Sequence, residues 1–381
     1  MTKSPMLQPG STIGMLGSGQ LGRMFALAAR RLGYRVNVYS PDNDSPLGQM
    51  ADVEMVANYD DLDQIREFAK TVDVITYEFE NVPAATAQAA EAIVPVRPGQ
   101  AILEVAQHRV REKSSLRDLG LPVPKFEVIK SVEDLTKAVG VIGTPCVIKS
   151  ATTGYDGKGQ AVVKAGSDLA AVWNSLGTKE AILEQFIEFE TEFSMIGVRG
   201  LDGSFTSYGP IENRHHNHIL DVSLMPIAYP ESARQTAEDA LRTVMAKYDV
   251  VGVLCIEFFL TKTGNVIVNE IAPRPHNSGH LTIEACECSQ FEQQLRAVCG
   301  LPLGSSRQHS PAAMANLLGD VWEQGEPDWS KSLVNPSSFL HLYGKTNPRV
   351  GRKMGHLTYL DKSSEQAATE VARLRAQIAR R

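Results

Sequence analysis

The sequence predicts a mixed α/β and α+β fold with more than one domain. Three observations predict it: a length of 381 residues, a first segment in which strands and helices alternate, and a later one in which strands are joined by short glycine turns. The net charge of −6 gives no basic surplus for a nucleic-acid backbone. No run of about 18 apolar residues exists. We therefore expect a cytoplasmic protein with neither nucleic acid nor membrane as partner.

The first segment, from residue 13 to about residue 98, is typical of a small parallel α/β domain. Its stretch "MLGSGQLG" places Gly17, Gly19 and Gly22 in the G-x-G-x-x-G spacing that turns a strand into a helix. Asp42, about 20 residues further on, suits the ribose of a bound NAD. Because the same spacing occurs wherever a helix N-terminus binds a phosphate, the residues alone leave both ligands open.

The next segment begins with one helix expected over residues 100–119, which ends at the prolines of "GLPVPKF". Beyond it, "VIKSATTGYDGKGQAVV" predicts two strands around a glycine loop. Lys149 and Lys158 bring positive charge to this loop, which favours a polyphosphate ligand, while a hairpin tip with surface lysines remains the alternative. Further helices are expected over residues 232–248 and 282–299.

A β-hairpin near residue 263 predicts a pair of facing carboxylates. If Thr263 and Gly264 form a two-residue turn, Glu257 lies directly opposite Glu270. Facing carboxylates repel, so a cation should lie beside them, and Mg²⁺ prefers such oxygen ligands, with Asn269 close by. The alternative is a pair of solvated glutamates with basic neighbours, but the flanking residues are too apolar for an open surface.

The run "EIAPRPHNSGH" follows directly and offers groups for a small oxyanion. Arg274 carries the positive charge, and His276 and Asn277 come next, before the backbone N–H groups that lead into a helix. Ordinary helix capping would explain the same residues. Their position next to the carboxylate pair favours a functional role.

Three other groups of residues give weaker signals. The histidines of "NRHHNH" lack a metal-ligand spacing, and the five cysteines are expected to be buried free thiols. A basic cluster near the C-terminus indicates either a solvated face or a site for a substrate phosphate. These groups are His215, His216 and His218; Cys146, Cys255, Cys286, Cys288 and Cys299; and Lys345, Arg349, Arg352 and Lys353.

Taken together, these segments resemble the ATP-grasp ligases. Within them, "YEFENVP", "GYDGKGQ", "NEIAPRPHNSGH" and "GRKMGH" are similar, in the same order, to the 5-(carboxyamino)imidazole ribonucleotide synthetases of purine biosynthesis. The resemblance implies a Rossmann-like pre-ATP-grasp domain (1–120), a small lid domain (121–200), and a large domain with a β-rich C-terminal substrate region (201–381). It also implies that the first glycine turn faces the phosphoribosyl substrate and does not bind NAD.

The resemblance further implies a role for each matching residue. The ATP contacts are Arg109, Lys149, Gly154, Tyr155, Asp156, Gly157, Lys158, Gly159, Gln160, Glu184, Gln185, Phe186, Ile187, Glu192, His215, Asn269 and Glu270. The Mg²⁺ ligands are Glu257 and Glu270. The catalytic residues at the bicarbonate pocket are Tyr155, Arg274, His276, Asn277 and Lys353. The substrate contacts are Gln20, Glu80, Lys345, Arg352 and Lys353.

The activity that the resemblance implies is ATP- and bicarbonate-dependent carboxylation of 5-aminoimidazole ribonucleotide by a homodimer. Three alternatives stay open. A sister ATP-grasp enzyme, such as a formate-using glycinamide ribonucleotide transformylase, would change the acceptor. A nicotinamide oxidoreductase would leave the carboxylate pair and the second glycine loop unexplained. A catalytically silent nucleotide-binding regulator would bind ATP without turnover.

Overall fold

The computed structural model describes residues 6–152 and 159–379. Across these residues the strands form three sheets. All strand pairs of the first sheet are parallel, and those of the other two sheets are antiparallel. The mixed α/β and α+β class is thereby confirmed. In the part of the chain that is described, no helix combines the length and the apolar character needed to cross a membrane.

The N-terminal unit is a four-stranded parallel sheet in the order β3-β2-β1-β4. Its elements are β1 (Thr12–Leu16), α1 (Gln20–Arg31), β2 (Arg35–Ser40), β3 (Val53–Val56), α2 (Leu62–Ala69), β4 (Val74–Tyr77) and α3 (Ala84–Glu91). The strand expected in "IVPVRP" is reduced to a single bridge between Val96 and Ile75. The turn between β1 and α1 is therefore held at the carboxyl end of a buried strand, where ligands of parallel sheets bind.

Gly17 in this turn has no room for a side chain. Its φ of +102° lies in the region that favours glycine, and an added Cβ would lie 2.6 Å from Cγ of Glu78. We expect Gly17→Ala to lower the free energy of unfolding by about 3 kcal/mol, through backbone strain and overpacking together. Urea denaturation measures this. Gly10→Ala is the control, because Gly10 has φ +96° and no atom within 4 Å of an added Cβ. An equal loss in both variants would contradict the role of packing.

The helix expected over residues 100–119 is two helices, α4 (Gln100–Ala106) and α5 (Arg109–Asp118). The break at Gln107 and His108 has a local cause. The Gln107 side-chain amide donates to the backbone carbonyls of Glu80 and Val82, and His108 is extended. The break lets the Arg109 N–H donate to the carbonyl of Ala151 at 2.8 Å. As a result, α5 is anchored against the sheet that follows it.

The second unit is a four-stranded antiparallel sheet in the order β5-β8-β6-β7. Its elements are β5 (Phe126–Ile129), α6 (Val132–Ile142), β6 (Cys146–Ser150), β7 (Gln160–Val163), α7 (Leu169–Leu176) and β8 (Ala181–Gln185). Ser131 and Asp168 cap the two helices by accepting a backbone N–H each. The strands β6 and β7 pair as expected on either side of the glycine loop.

The third unit is an eight-stranded antiparallel sheet in the order β13-β12-β9-β10-β11-β14-β16-β15. Its strands are β9 (Phe189–Arg199), β10 (Phe205–His216), β11 (Ile219–Met225), β12 (Gly252–Thr261), β13 (Val266–Ala272), β14 (Ala312–Leu318), β15 (Ser338–Leu342) and β16 (Lys353–Leu360). The boundary expected at residue 200 assigns β9 to the lid, whereas β9 pairs with β10 and β12 in this sheet. Within the described ranges, β13 forms one edge of the sheet.

Helices cover both faces of the large sheet. They are α8 (Glu231–Lys247), α9 (Thr282–Ala285), α10 (Gln290–Val298), α11 (Ser330–Leu333) and α12 (Ser364–Ile378). The single helix expected over residues 282–299 is interrupted because Cys286 bridges to Gln308 and Ser289 starts α10 as its N-cap. All five cysteines are buried free thiols, as expected. The interruption corrects the expectation that Cys286 and Cys288 lie within a helix.

Candidate active site

The carboxylate pair lies on the β12–β13 hairpin. Glu257 pairs with Glu270, as the sequence predicted, but the turn and the strand register between them differ from those expected. The turn has three residues, since the Thr261 N–H donates to the Asn265 carbonyl, and Gly264 takes φ +81°. A register shift beyond Glu257 then inserts Asn269 as an extra residue in β13 and restores the pairing. The bulge therefore sets the position of Glu270 directly.

The two carboxylates have different surroundings. Glu257 is buried, while the side chain of Glu270 is 45% exposed, with Arg109 Nη1 3.9 Å from its Oε2. Burial, and then the charges of Glu270 and Glu192, raise the pKa of Glu257 well above its ordinary value. A divalent cation relieves that cost, so the chemistry of the oxygen donors fits Mg²⁺.

His276 and Arg274 contribute the next groups. His276 Nε2 lies 3.3 Å from Glu257 Oε1, and its Nδ1 lies 2.8 Å from Ser278 Oγ. Burial, followed by the charge of Arg274, lowers the pKa of His276 well below its ordinary value, so the ring is neutral at pH 7. The Asn277 side-chain amide exchanges hydrogen bonds with that of Asn316.

Arg274 forms a bidentate ion pair with Glu80 that joins the third unit to the first. Arg274 Nε lies 2.5 Å from Glu80 Oε2 and its second nitrogen 3.0 Å from Oε1. Burial raises the pKa of Glu80, but the charge and hydrogen bonds of Arg274 outweigh it and leave the pKa lowered. Both groups are therefore ionised, with Arg274 next to the carboxylate pair.

Lys149 on β6 contacts Glu184 on β8, and a second lysine shares this partner. Lys149 Nζ lies 2.6 Å from Glu184 Oε2, and Lys113 Nζ lies 3.4 Å from Oε1. Burial raises the pKa of Glu184, but the charges of the two lysines outweigh this effect and lower the pKa to about 2. The buried Glu184 side chain therefore pairs with both lysines. Gln185, Phe186 and Ile187 follow it in the chain, at the end of β8 and in the connection to β9.

Glu192 and His215, each expected among the ATP contacts, lie next to each other. His215 Nδ1 lies 3.3 Å from Glu192 Oε2. Burial lowers the pKa of His215, but the Glu192 hydrogen bond and charge outweigh it and raise the pKa overall. Within the described ranges, no group of three or more His, Cys, Asp or Glu side chains is arranged to hold a metal. The three histidines of "NRHHNH" are not such a site.

The first glycine turn is occupied by a side chain of the protein itself. Glu78 accepts hydrogen bonds from the N–H groups of Gly19 and Gly22, the second at 2.7 Å. A carboxylate therefore accepts from two of the backbone N–H groups that a pyrophosphate or a substrate phosphate would otherwise use. That the turn faces the phosphoribosyl substrate stays a prediction. Gln20, the first residue of α1, lies at the same point, and its role stays a prediction.

One of the C-terminal basic residues, Lys345, lies close enough to Glu78 for their charges to interact, and it contacts others of the cluster. Lys345 Nζ donates to the carbonyl of Lys353 at 2.7 Å, and Arg352 donates to the carbonyl of Asn347 at 2.8 Å. Burial, and then the charge of Arg352, lower the pKa of Lys345 to about 8. This cluster is the better candidate for a phosphate site.

Five of the predicted residues lie outside the described residues: Gly154, Tyr155, Asp156, Gly157 and Lys158. At the described end of their loop, Gly159 accepts from the Ser150 N–H, and Gln160 pairs with Lys149. The sequence reasoning missed two residues of α5, Glu112 and Lys113. Lys113 is four positions after Arg109 and thus on the same helical face, which was the available signal.

Three family models match successive parts of the chain: a ribonucleotide synthetase preATP-grasp domain (10–107), an ATP-grasp domain (114–291) and a phosphoribosylaminoimidazole carboxylase C-terminal domain (312–370). The N5-carboxyaminoimidazole ribonucleotide synthase of Bacillus subtilis strain 168 is 40% identical over 366 residues, which cover 96% of each protein. The chain belongs to this ATP-grasp family. The resemblance read from the motifs is thereby confirmed.

Solved structures of the N5-carboxyaminoimidazole ribonucleotide synthase family match the whole architecture. A synthetase crystallised as an ADP complex has a TM-score of 0.92 and 40% identity, covering 98% of both chains. A synthase from Aspergillus clavatus, crystallised with ADP and 5-aminoimidazole ribonucleotide, has a TM-score of 0.88 and 29% identity, covering 97% of this chain and 99% of that one. The ATP-grasp fold with its pre-ATP-grasp domain is confirmed.

Proposed function

We propose that the protein carboxylates 5-aminoimidazole ribonucleotide with bicarbonate and ATP, giving ADP, phosphate and 5-(carboxyamino)imidazole ribonucleotide. The observation that carries the proposal is the convergence of the facing carboxylates Glu257 and Glu270 with Arg274 and His276. An oxygen-ligand site beside a partly buried guanidinium suits transfer of a phosphoryl group to a small anion. Relatives that carry this activity in their names match the chain nearly end to end.

Glu257 and Glu270 are the residues that would hold Mg²⁺, and the ATP phosphates would complete its oxygen ligands. Bound there, the ion would neutralise charge on the transferred phosphoryl group. Lys149 and the glycine loop are proposed to bind the same phosphates, and Arg109 lies close enough to join them. Glu192, held by His215, is proposed to accept the ribose hydroxyls, and the backbone groups from Glu184 to Ile187 are proposed to contact the adenine.

The chemistry then has two stages. A bicarbonate oxygen attacks the γ-phosphorus, the bond to the β-phosphate oxygen breaks, and ADP leaves carboxyphosphate behind. Carboxyphosphate splits into CO₂ and phosphate, and the substrate amine attacks the CO₂ and loses a proton. Arg274 is proposed to hold the anion by its guanidinium, and the neutral His276 to orient it. Glu80, Lys345, Arg352 and Lys353 are proposed to bind the ribonucleotide.

The decisive experiment measures phosphate release from ATP and Mg²⁺ with bicarbonate and 5-aminoimidazole ribonucleotide present, each omitted in turn. We expect release to require both. Release that requires glycinamide ribonucleotide and formate instead would favour the transformylase, the sister ATP-grasp enzyme. ATP binding with no release under either condition would favour a silent regulator and overturn the proposal.

The Lys345 amine gives the reaction a pH dependence. Because its pKa is lowered to about 8, the amine is charged below that pH and increasingly neutral above it, and only the charged form attracts a phosphate. We expect kcat/KM for the ribonucleotide to fall about 25-fold between pH 7.5 and pH 9.5, in proportion to the charged fraction of the amine. Lys345→Arg should flatten this fall, because a guanidinium stays charged. A fall of the same size in both proteins would exclude Lys345 as its cause.

Three further parts of the proposal concern the whole molecule. The four-stranded sheet is proposed to act as the lid over ATP and as the second of three domains, with β9 belonging to the third. The protein is proposed to be a cytoplasmic homodimer, as its family resemblance implies. Light scattering on the purified protein tests the dimer, and a mass of one chain, 41.6 kDa, would contradict it.

A further inference from the structure

Helix α5 buries two adjacent charged residues that the reaction does not use. Glu112 and Lys113 are 3% and 2% exposed. Ionisable side chains are rarely buried this completely unless they have specific partners. Their partners are backbone groups on both sides of Glu270, which is the observation that needs an explanation.

β13 is an edge strand, so its outward-facing backbone groups have no neighbouring strand to pair with. α5 and the chain after it satisfy three of them. The Val268 N–H donates to the Pro122 carbonyl at 2.7 Å, and the Ile271 N–H donates to Glu112 Oε1 at 2.6 Å. Lys113 donates to the carbonyl of Asn269.

The two buried side chains therefore hold the bulge from both sides. Asn269, the extra residue of β13, is anchored through its carbonyl, and Ile271 through its N–H, so the backbone of Glu270 is fixed between them. Without these contacts, the bulged edge would have unpaired groups and could shift its register. A shift of one residue would turn Glu270 away from Glu257.

Lys113 also connects this strand to the second unit. Its ammonium lies 3.4 Å from Glu184 Oε1, and the other oxygen of Glu184 lies 2.6 Å from Lys149. Two buried side chains, Lys113 and Glu184, thus link the strand of Glu270 to the lysine proposed to bind ATP phosphates. Arg109, on the same helical face, lies near Glu270 itself.

We propose that Glu112 and Lys113 are positioning residues for nucleotide binding: they fix the bulge that orients Glu270 and hold it in register with Lys149. They touch neither ATP nor the ribonucleotide. The inference rests on the proposed function only where it names the ribonucleotide as the other substrate. Its direct consequence is an effect on the affinity for ATP with Mg²⁺ that leaves the ribonucleotide affinity unchanged.

The test measures binding of ATP by calorimetry, with Mg²⁺ and with a chelator, for Glu112→Met, Glu112→Gln and Lys113→Met. We expect Glu112→Met and Lys113→Met to weaken Mg²⁺-dependent ATP binding about tenfold or more, as the loss of supporting contacts does at metal sites. Glu112→Gln keeps an acceptor for the Ile271 N–H and should stay within about twofold. If Lys113→Met does not fold, Lys113→Gln carries the same expectation.

Glu292→Met is the matched control, because Glu292 is also a buried glutamate, 5% exposed, whose partners are Arg31 on α1 and Arg296 on α10 rather than groups of β13. It should lose stability and keep its ATP affinity. Unchanged ATP affinity in Glu112→Met, or an equal loss in Glu292→Met, would overturn the inference. Absence of ribonucleotide-dependent turnover in the wild type would instead count against the proposed function, since the ATP-binding comparison does not depend on it.

Discussion

Glu270→Gln is expected to abolish bicarbonate-dependent ADP formation, with a loss of about 10³-fold or more, while the protein stays folded. The substitution keeps the shape of the side chain and removes the charge that faces Glu257 across the hairpin. Stabilisation of the transferred phosphoryl group by a bound metal contributes several kcal/mol, and each 1.36 kcal/mol is about tenfold in rate. The measurement is ADP release at saturating ATP, bicarbonate and ribonucleotide over a range of Mg²⁺ concentrations.

The same substitution should not unfold the protein. Glu270 is half-exposed, and removal of its charge relieves the repulsion of the buried Glu257. We therefore expect an unfolding midpoint equal to that of the wild type or slightly higher. Glu67→Gln is the control, because Glu67 is an exposed carboxylate on α2 that pairs with Lys70 on the same helix face. Undiminished turnover in Glu270→Gln would refute the metal role.

The carboxylate pair shows how far sequence patterns reach. Alternation and turn position predicted that Glu257 faces Glu270, and they do. The assumed turn was one residue too short, and the bulge at Asn269 compensated for it. A bulge leaves no periodic signature in the sequence, so the correct pairing followed from two deviations that cancel.

Where the sequence reasoning failed, tertiary contacts had overridden local preference. The helices expected over residues 100–119 and 282–299 are each interrupted by hydrogen bonds to distant segments, which periodicity within one segment cannot detect. Likewise, Glu78 lies about 60 residues from the glycine turn it occupies. Motif spacing identified the turn as a set of backbone N–H donors, but only the folded chain shows that the Glu78 carboxylate accepts from them.

Arg274→Met is expected to reduce both stability and activity. It leaves the Glu80 carboxylate in a partly buried site without its bidentate partner, which we expect to lower the free energy of unfolding by about 3 kcal/mol. It also removes the guanidinium proposed to hold the carboxyphosphate, so turnover should fall by about 10³-fold. Urea denaturation and phosphate release on the same preparation measure the two effects.

A second variant separates these effects. Glu80→Gln with Arg274→Met removes both charges together, so the double variant should recover most of the lost stability. If Arg274 acted only by neutralising Glu80, the double variant would turn over as fast as Glu80→Gln alone. We expect it to be about 100-fold slower than that single variant, because the anion would still lack its guanidinium. Equal rates would remove Arg274 from the reacting groups and leave it as the tie between the first and third units.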